Sequence, residues 1–143
     1  MKNLIICSVS NMTFQEYHPL VRQAREYVFQ HFHEKIMIED MARHLGTSAT
    51  YLGMVFHKSE GITLHQFILQ EKIDRAKNLL RYSDYDIFTI GQYLGFASQS
   101  HFGKKFKEYT GYTPAKYRSL NNSLYREKMI EEVEKDEGDY GDV

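Results

Sequence analysis

The chain has 143 residues, of which 42% are hydrophobic and 14% aromatic, which is enough for one compact domain or two very small ones. It holds a single cysteine, Cys7, and no uninterrupted apolar stretch approaches the roughly 18–20 residues that span a bilayer. An intrachain disulfide is therefore impossible, and the sequence predicts a cytoplasmic protein that makes no membrane contact.

The formal net charge of −1 hides an uneven distribution of charge. Residues 124–143 hold three of the 18 basic and eight of the 19 acidic residues, a balance of −5 that leaves +4 on residues 1–123. A nearby anion responds to the local field rather than to the sum of all charges. The composition therefore permits a polyanionic partner for the basic part of the chain.

The first helix is predicted after a short N-terminal extension, residues 1–18. The extension begins MKNLIICSVS, and its apolar run is too short for a secretory signal. Residues Pro19–Phe32 then show helical periodicity. Their inward-facing positions are expected to be Ala24, Tyr27, Val28 and Phe32.

Two later stretches match each other with a shift of about 50 residues. LGTSATYLGMVFHKSEGIT aligns with LGFASQSHFGKKFKEYTGYT after a one-residue insertion. Apolar residues recur at helical spacing in both, and strand-like alternation is missing. The sequence therefore predicts a duplicated, all-α unit. The matched residues are Ser48, Leu52, Gly53, Phe56, Gly61 and Thr63 in the first copy and Ser98, Phe102, Gly103, Phe106, Gly111 and Thr113 in the second.

Each copy has the pattern of a helix-turn-helix unit. In the first copy, helix Ile38–Leu45 is followed by a break at Gly46 and Thr47, and Ser48 is a suitable N-cap for the next helix. The second copy repeats this arrangement with helix Ile87–Leu94, then Gly95 and Ser98. Two short helices joined by a glycine-containing turn are typical of this motif.

A long connecting helix is predicted between the copies. Thr63 is the expected cap of this helix, which reaches Tyr82 and carries one apolar stripe along its length. The predicted organisation is a domain at residues 19–120, with helix-turn-helix units at about 38–58 and 87–108 and the connecting helix at about 63–82. An acidic tail at 121–143, with a short helix around Leu124–Val133, follows it. The stripe residues are Leu69, Ile73, Ala76 and Leu80.

The outward positions of the second helix in each unit are the candidate DNA-binding residues. In this motif the second helix enters the major groove, and residues near its N-terminus contact base edges. A Gln99 side chain can pair with adenine, a Lys104 side chain with guanine or phosphate, and small side chains can pack on a thymine methyl group. The candidates are Ala49, Thr50, Gly53, Met54, His57 and Lys58 in the first unit, and Gln99, Ser100, Gly103, Lys104, Lys105 and Lys107 in the second.

Over about Leu20–Arg118 the chain resembles the DNA-binding domain of the AraC/XylS transcription regulators. The second copy, IGQYLGFASQSHFGKKFKEYTGYTPAKYR, follows the signature of that family closely, and the first copy matches its more variable unit. The resemblance implies seven helices and two recognition helices that reach successive major grooves of double-stranded DNA. It also implies two further candidate partners, which are RNA polymerase and a sensor domain that this chain does not contain.

The chain departs from the family pattern in three respects. Gly53 and Met54 occupy positions where members often carry longer polar or basic side chains, so base reading by the first unit is expected to be weak. Gly91 replaces a small alanine, and a glycine inside a helix costs roughly 0.5–1 kcal/mol relative to alanine. Members also commonly carry a ligand-sensing or dimerising domain, for which 143 residues leave no room.

Other functions have weaker support in the sequence. We find no phosphate-binding glycine loop, nucleophile elbow or paired-acid motif, so an enzyme and a cofactor are not expected. His31 and His33 point in different directions on a helix and lack a completing ligand, so no metal is expected either. The alternative hypothesis is a protein-interaction module that has kept the fold without specific DNA reading, based on the uncharged first recognition helix and the acidic tail.

Overall fold

A computed structural model describes residues 18–124, 127 and 130–132. Residues 18–122 contain seven α-helices, and no strand occurs anywhere in the described ranges. The prediction of an all-α fold with about seven helices is thus confirmed. The helices are α1 (Pro19–His31), α2 (Ile38–His44), α3 (Ala49–Glu60), α4 (Leu64–Tyr82), α5 (Ile87–Tyr93), α6 (Gln99–Thr110) and α7 (Pro114–Asn121).

The chain divides into two compact units, Met1–Leu69 and Gln70–Val143, and the boundary falls inside α4. This helix begins at Leu64, directly after Thr63, whose hydroxyl accepts a hydrogen bond from the Gln66 amide at 3.1 Å. The Gln66 side chain in turn accepts from the Thr63 amide at 2.9 Å. Such a reciprocal pair satisfies two amides that the first turn of a helix would leave unpaired.

The first unit packs α1, α2, α3 and the start of α4 around one apolar core. Leu52 and Phe56 of α3 are fully buried, and the Phe56 ring lies 5.2 Å from that of Phe67. At the edge of this core Arg25 of α1 forms an ion pair with Glu60. The Arg25 guanidinium also lies 5.0 Å from the centre of the Phe67 ring. The other buried residues are Val21, Ala24, Val28, Met41, Ala42, Leu64 and Ile68.

The core of the second unit is largely aromatic. Phe102 and Phe106 of α6 are fully buried, and their ring centres lie 5.8 Å apart. Phe96 contacts Phe102 at 5.0 Å, and Tyr117 of α7 contacts Phe106 at 5.4 Å, in edge or tilted geometry. Aliphatic residues complete this core: Ile73, Ala76, Leu80, Ile90 and Leu94.

Helix ends follow the sequence-based boundaries within about one residue. Leu45 and Leu94, which the sequence placed in the helices, are the C-caps of α2 and α5. Periodicity did not identify α7, which begins at Pro114 under a Thr113 cap. Residues 1–17 and 133–143, which include the ends of the predicted extension and tail, lie outside the described residues.

Candidate nucleic-acid interface

The two turns are built in the same way. Gly46 and Gly95 adopt positive φ angles of 74° and 78°, a conformation that other residues adopt at an energetic cost. Three residues after the end of α2, the amide of Thr47 donates to the Ala42 carbonyl at 2.9 Å. In the second unit, the amide of Phe96 donates to the Gly91 carbonyl at 3.0 Å. The duplicated glycines therefore set the same change of direction in both units.

The helix after each turn also begins and ends alike. The Ser48 hydroxyl accepts a hydrogen bond from the Tyr51 amide at 3.1 Å, and that of Ser98 accepts from the His101 amide at 3.0 Å. Both helices are 12 residues long, and each ends at a left-handed glycine. Because matched caps fix both ends, α3 and α6 present equivalent positions. We call these two the recognition helices, and the terminating glycines are Gly61 and Gly111.

The buried face of each recognition helix determines which residues face outward. Positions 50, 53, 54 and 57 lie at spacings of three, one and three residues, as do 100, 103, 104 and 107, so each set forms one stripe along its helix. Of the sequence-predicted residues, those exposed on α3 are Thr50, Met54, His57 and Lys58, and those exposed on α6 are Gln99, Ser100, Lys104 and Lys107.

Four candidate residues are less exposed than these. Ala49 is half-buried and packs against the core of the first unit. Lys105 is half-buried, and its Nζ lies 3.3 Å from a carboxylate oxygen of Glu108. Gly53 and Gly103 are half-buried in the outward stripes, and a Cβ atom at either would meet nothing within 4 Å. These two glycines therefore leave room for close approach of another molecule.

The outward stripes differ in charge. On α6 the stripe carries Lys104 and Lys107, which are suited to phosphate oxygens. On α3 the equivalent position to Lys104 is Met54, whose side chain is 59% exposed. An exposed thioether offers apolar contact and no charge. The second unit can therefore supply more electrostatic attraction to a polyanion than the first.

One residue of the first recognition helix was missed by sequence reasoning. Tyr51 is 45% exposed, and its ring meets the His18 ring edge-on at 6.4 Å. The His18 Nδ1 accepts from the Leu20 amide at 3.1 Å and so caps α1. The residue of the second recognition helix that corresponds to Tyr51 is His101, whose ring lies 5.6 Å from the Phe96 ring. An aromatic at the third helical position was the available signal for Tyr51.

The histidines near the end of α1 are engaged in local contacts. The His31 ring stacks on Tyr27 at 3.9 Å, and its Nδ1 lies 2.8 Å from the Tyr27 carbonyl oxygen. No group of three or more His, Cys, Asp or Glu side chains that could hold a metal occurs within the described ranges. No helix described there is long and apolar enough to cross a membrane.

Comparison with known proteins finds relatives over the same residues. A family profile described as a helix-turn-helix domain matches residues 41–119. An uncharacterized HTH-type transcriptional regulator of Staphylococcus aureus (strain COL) is 35% identical over 98 residues, which are 68% of this chain and 13% of that protein. The chain therefore spans a small part of that relative's length.

Solved structures also resemble this chain over most of its length. The C-terminal domain of AraT, a response regulator from Geobacillus stearothermophilus, has a TM-score of 0.72 at 28% identity over 73% of this chain and 88% of that one. A transcriptional regulator from Chromobacterium violaceum, described as AraC-type, has a TM-score of 0.68 at 25% identity over 73% of this chain and 94% of that one. The residues of the family match include both turns and both recognition helices.

Proposed function

The chain belongs to the AraC/XylS family of helix-turn-helix proteins, and on that basis we propose that it is a sequence-specific transcription regulator that binds double-stranded DNA. Residues 19–120 are the DNA-binding domain, and each recognition helix enters one of two successive major grooves. The observation that carries the proposal is the pair of equally capped, 12-residue helices, each with an outward stripe of residues.

The outward residues divide into base readers and phosphate binders. The amide of Gln99 can make a bidentate pair with adenine, while Thr50 and Ala49 offer methyl groups to thymine. Lys104 contacts guanine or a phosphate, and Lys107 with Lys58 contacts phosphates further along the helices. Gly53 and Gly103 let the backbone approach the DNA closely, since the space above them is open.

The wider partners follow from the family. We propose that the protein acts in the cytoplasm and works with RNA polymerase and with a sensor domain absent from this chain.

Selection of bound sequences from a random duplex pool tests the proposed function. We expect enriched sequences to contain two conserved blocks within about two helical turns, because one subunit carries two readers. A shuffled duplex of the same composition serves as the control in a subsequent titration. A pool that shows no enrichment, with no binding even at low salt, would contradict the proposal and favour the protein-interaction module.

A further inference from the structure

Tyr51 lies on one side of the first recognition helix, next to the outward stripe. It is the third residue of α3, and 45% of its surface is exposed. Each residue of a helix is rotated by about 100° from the one before it, so Tyr51 points away from Thr50 toward one side of α3. Lys58, which is also exposed, follows seven residues later, two turns further along the same side. We call these two residues the flank of α3.

The ring of Tyr51 is supported by α1. It meets the His18 ring edge-on, with 6.4 Å between the ring centres and 77° between the ring planes. Aromatic pairs in this geometry attract each other beyond the effect of their buried area. The Nδ1 atom of His18 accepts a hydrogen bond from the Leu20 amide at 3.1 Å, so the imidazole is itself fixed as the cap of α1. The Tyr51 side chain is therefore restrained at the start of the recognition helix.

The hydroxyl of Tyr51 is available to another molecule. Among the described residues, none forms a hydrogen bond with this hydroxyl, and the printed contacts of Tyr51 are those of its ring and its backbone amide. A phenol can donate one hydrogen bond and accept others. A restrained, exposed ring with such a hydroxyl is suited to donate to an acceptor beside the helix.

The second unit supports an aromatic residue at the same position by a different route. His101 is the third residue of α6, is exposed, and lies beside the Phe96 ring of the preceding turn. The corresponding turn residue of the first unit is Thr47, which carries no ring. His18 of α1 supplies the ring beside Tyr51 instead. Both recognition helices thus present a supported aromatic side chain with a hydrogen-bond donor near their N-termini.

We propose that the Tyr51 hydroxyl donates a hydrogen bond to a phosphate of DNA and that His18 positions it. This inference rests on the proposed function. When a helix lies in the major groove, its central stripe faces the base edges and its sides face the backbones that form the walls of the groove. Tyr51 therefore meets one backbone near the start of α3, and Lys58 meets it near the end. A phosphate contact carries no sequence information directly, so Tyr51 strengthens binding to every duplex equally.

The test measures the affinity of the full chain for the selected duplex and for its shuffled control. Tyr51→Phe keeps the ring beside His18 and removes only the hydroxyl. We expect it to weaken binding to both duplexes by the same factor, roughly tenfold, and to leave the base preference unaltered. Tyr85→Phe, which removes an exposed phenol from the loop between α4 and α5, is the matched control and should change neither affinity.

His18→Asn tests the positioning role. Asparagine is a preferred N-cap, so this variant keeps an acceptor for the Leu20 amide while it removes the ring beside Tyr51. We expect it to weaken binding to both duplexes several-fold. In a chain that already carries Tyr51→Phe it should have no further effect, because the contribution of His18 depends on the Tyr51 hydroxyl. A purely structural role of His18 would instead add its loss to that of Tyr51→Phe.

Three results would overturn the proposal while leaving the proposed function intact. They are unaltered affinity of Tyr51→Phe, a loss confined to the selected duplex, and an additional loss when His18→Asn is combined with Tyr51→Phe. A wild-type chain that binds neither duplex would contradict the proposed function itself, and this inference with it.

Discussion

At the scale of single residues, Gly91 shows how a missing side chain sets the distance between two helices. From the sequence it counts as a cost, since alanine favours a helix more than glycine does. In the fold, a Cβ atom at this position would lie 3.1 Å from Cδ2 of Phe102. Phe102 is fully buried and is held between Phe96 and Phe106. The close approach of α5 to α6 therefore favours glycine here.

Replacing this glycine should not give the usual gain in helix stability. We expect Gly91→Ala to leave the free energy of unfolding unchanged or lower, because overpacking of about 1 kcal/mol offsets the gain in helix propensity. Gly103→Ala, with nothing within 4 Å of the new methyl group, should raise it by about 0.5–1 kcal/mol. Urea unfolding of both variants measures the difference. Equal stabilisation by the two substitutions would show that the Phe102 ring moves aside freely.

The outward stripes also predict which half of the DNA site is read more strictly. Gln99→Ala and Lys104→Ala should relax base preference in one half-site by about 1–3 kcal/mol per lost contact. Thr50→Ala and Met54→Ala should have smaller effects in the other half-site, since those side chains offer mainly methyl and thioether contacts. Binding selections with each variant give the comparison. Larger losses of discrimination from Thr50 and Met54 would mean that apolar packing carries the sequence preference.

At the scale of elements, the C-terminal end of α4 is closed by side chains from α7 and the residue after it. Arg118 and Asn122 are 5% and 3% exposed. The Asn122 amide donates to the carbonyls of Leu80 and Ser83, both at 2.9 Å. The Arg118 guanidinium donates to the same two carbonyls at 3.3 Å. These contacts satisfy acceptors that the end of a helix otherwise leaves to water.

Loss of this cap should destabilise the second unit. Asn122→Ala removes two buried hydrogen bonds, and we expect the free energy of unfolding to fall by about 1–2 kcal/mol. Asn121→Ala is a suitable control, because its exposed amide bonds only to the Tyr117 carbonyl within α7. This change should stay within about 0.5 kcal/mol. Thermal or urea unfolding that finds the two variants equally stable would contradict a capping role for Asn122.

The sequence predicted those elements that local signals specify. Glycine at the turns, serine at the N-caps and the apolar spacing of α3 and α6 are all short-range features, and the duplication made each copy support the other. In contrast, α7 was not identified, although its eight residues exceed the seven of α2 and of α5, which the duplicated glycine turns marked. The partners of Asn122 lie about 40 residues away in the chain, so no local pattern indicates them.

In the candidate site, as in the fold, the sequence predicted the features that depend on local spacing. Helical spacing alone identified the outward stripe on each recognition helix, because Leu52, Phe56, Phe102 and Phe106 marked the opposite face. The ion pair of Lys105 with Glu108 and the contact of Tyr51 with His18 depend on how side chains meet in three dimensions.

At the scale of the whole molecule, charge is divided between a basic body and an acidic C-terminal segment. Residues 124–143 carry −5 and residues 1–123 carry +4. We propose that the acidic segment, most of which lies outside the described residues, competes weakly with DNA for the lysines of α6. Deleting residues 124–143 should then tighten nonspecific DNA binding at low salt, and the gain should fade as salt screens the charges. Unaltered affinity after deletion would mean that the acidic segment does not compete with DNA for these lysines.

The most direct test of the central claim is a salt titration of DNA affinity with a selected duplex and its shuffled control. We predict tighter binding to the selected duplex at every salt concentration, as well as a steep fall of affinity with salt for both, because phosphate contacts release counterions. The double variant Lys104→Gln with Lys107→Gln should lower the slope by about 2, whereas Lys77→Gln, whose side chain pairs with Asp74, should not. No binding at low salt, or equal affinity for the two duplexes, would contradict the claim that this chain reads DNA sequence.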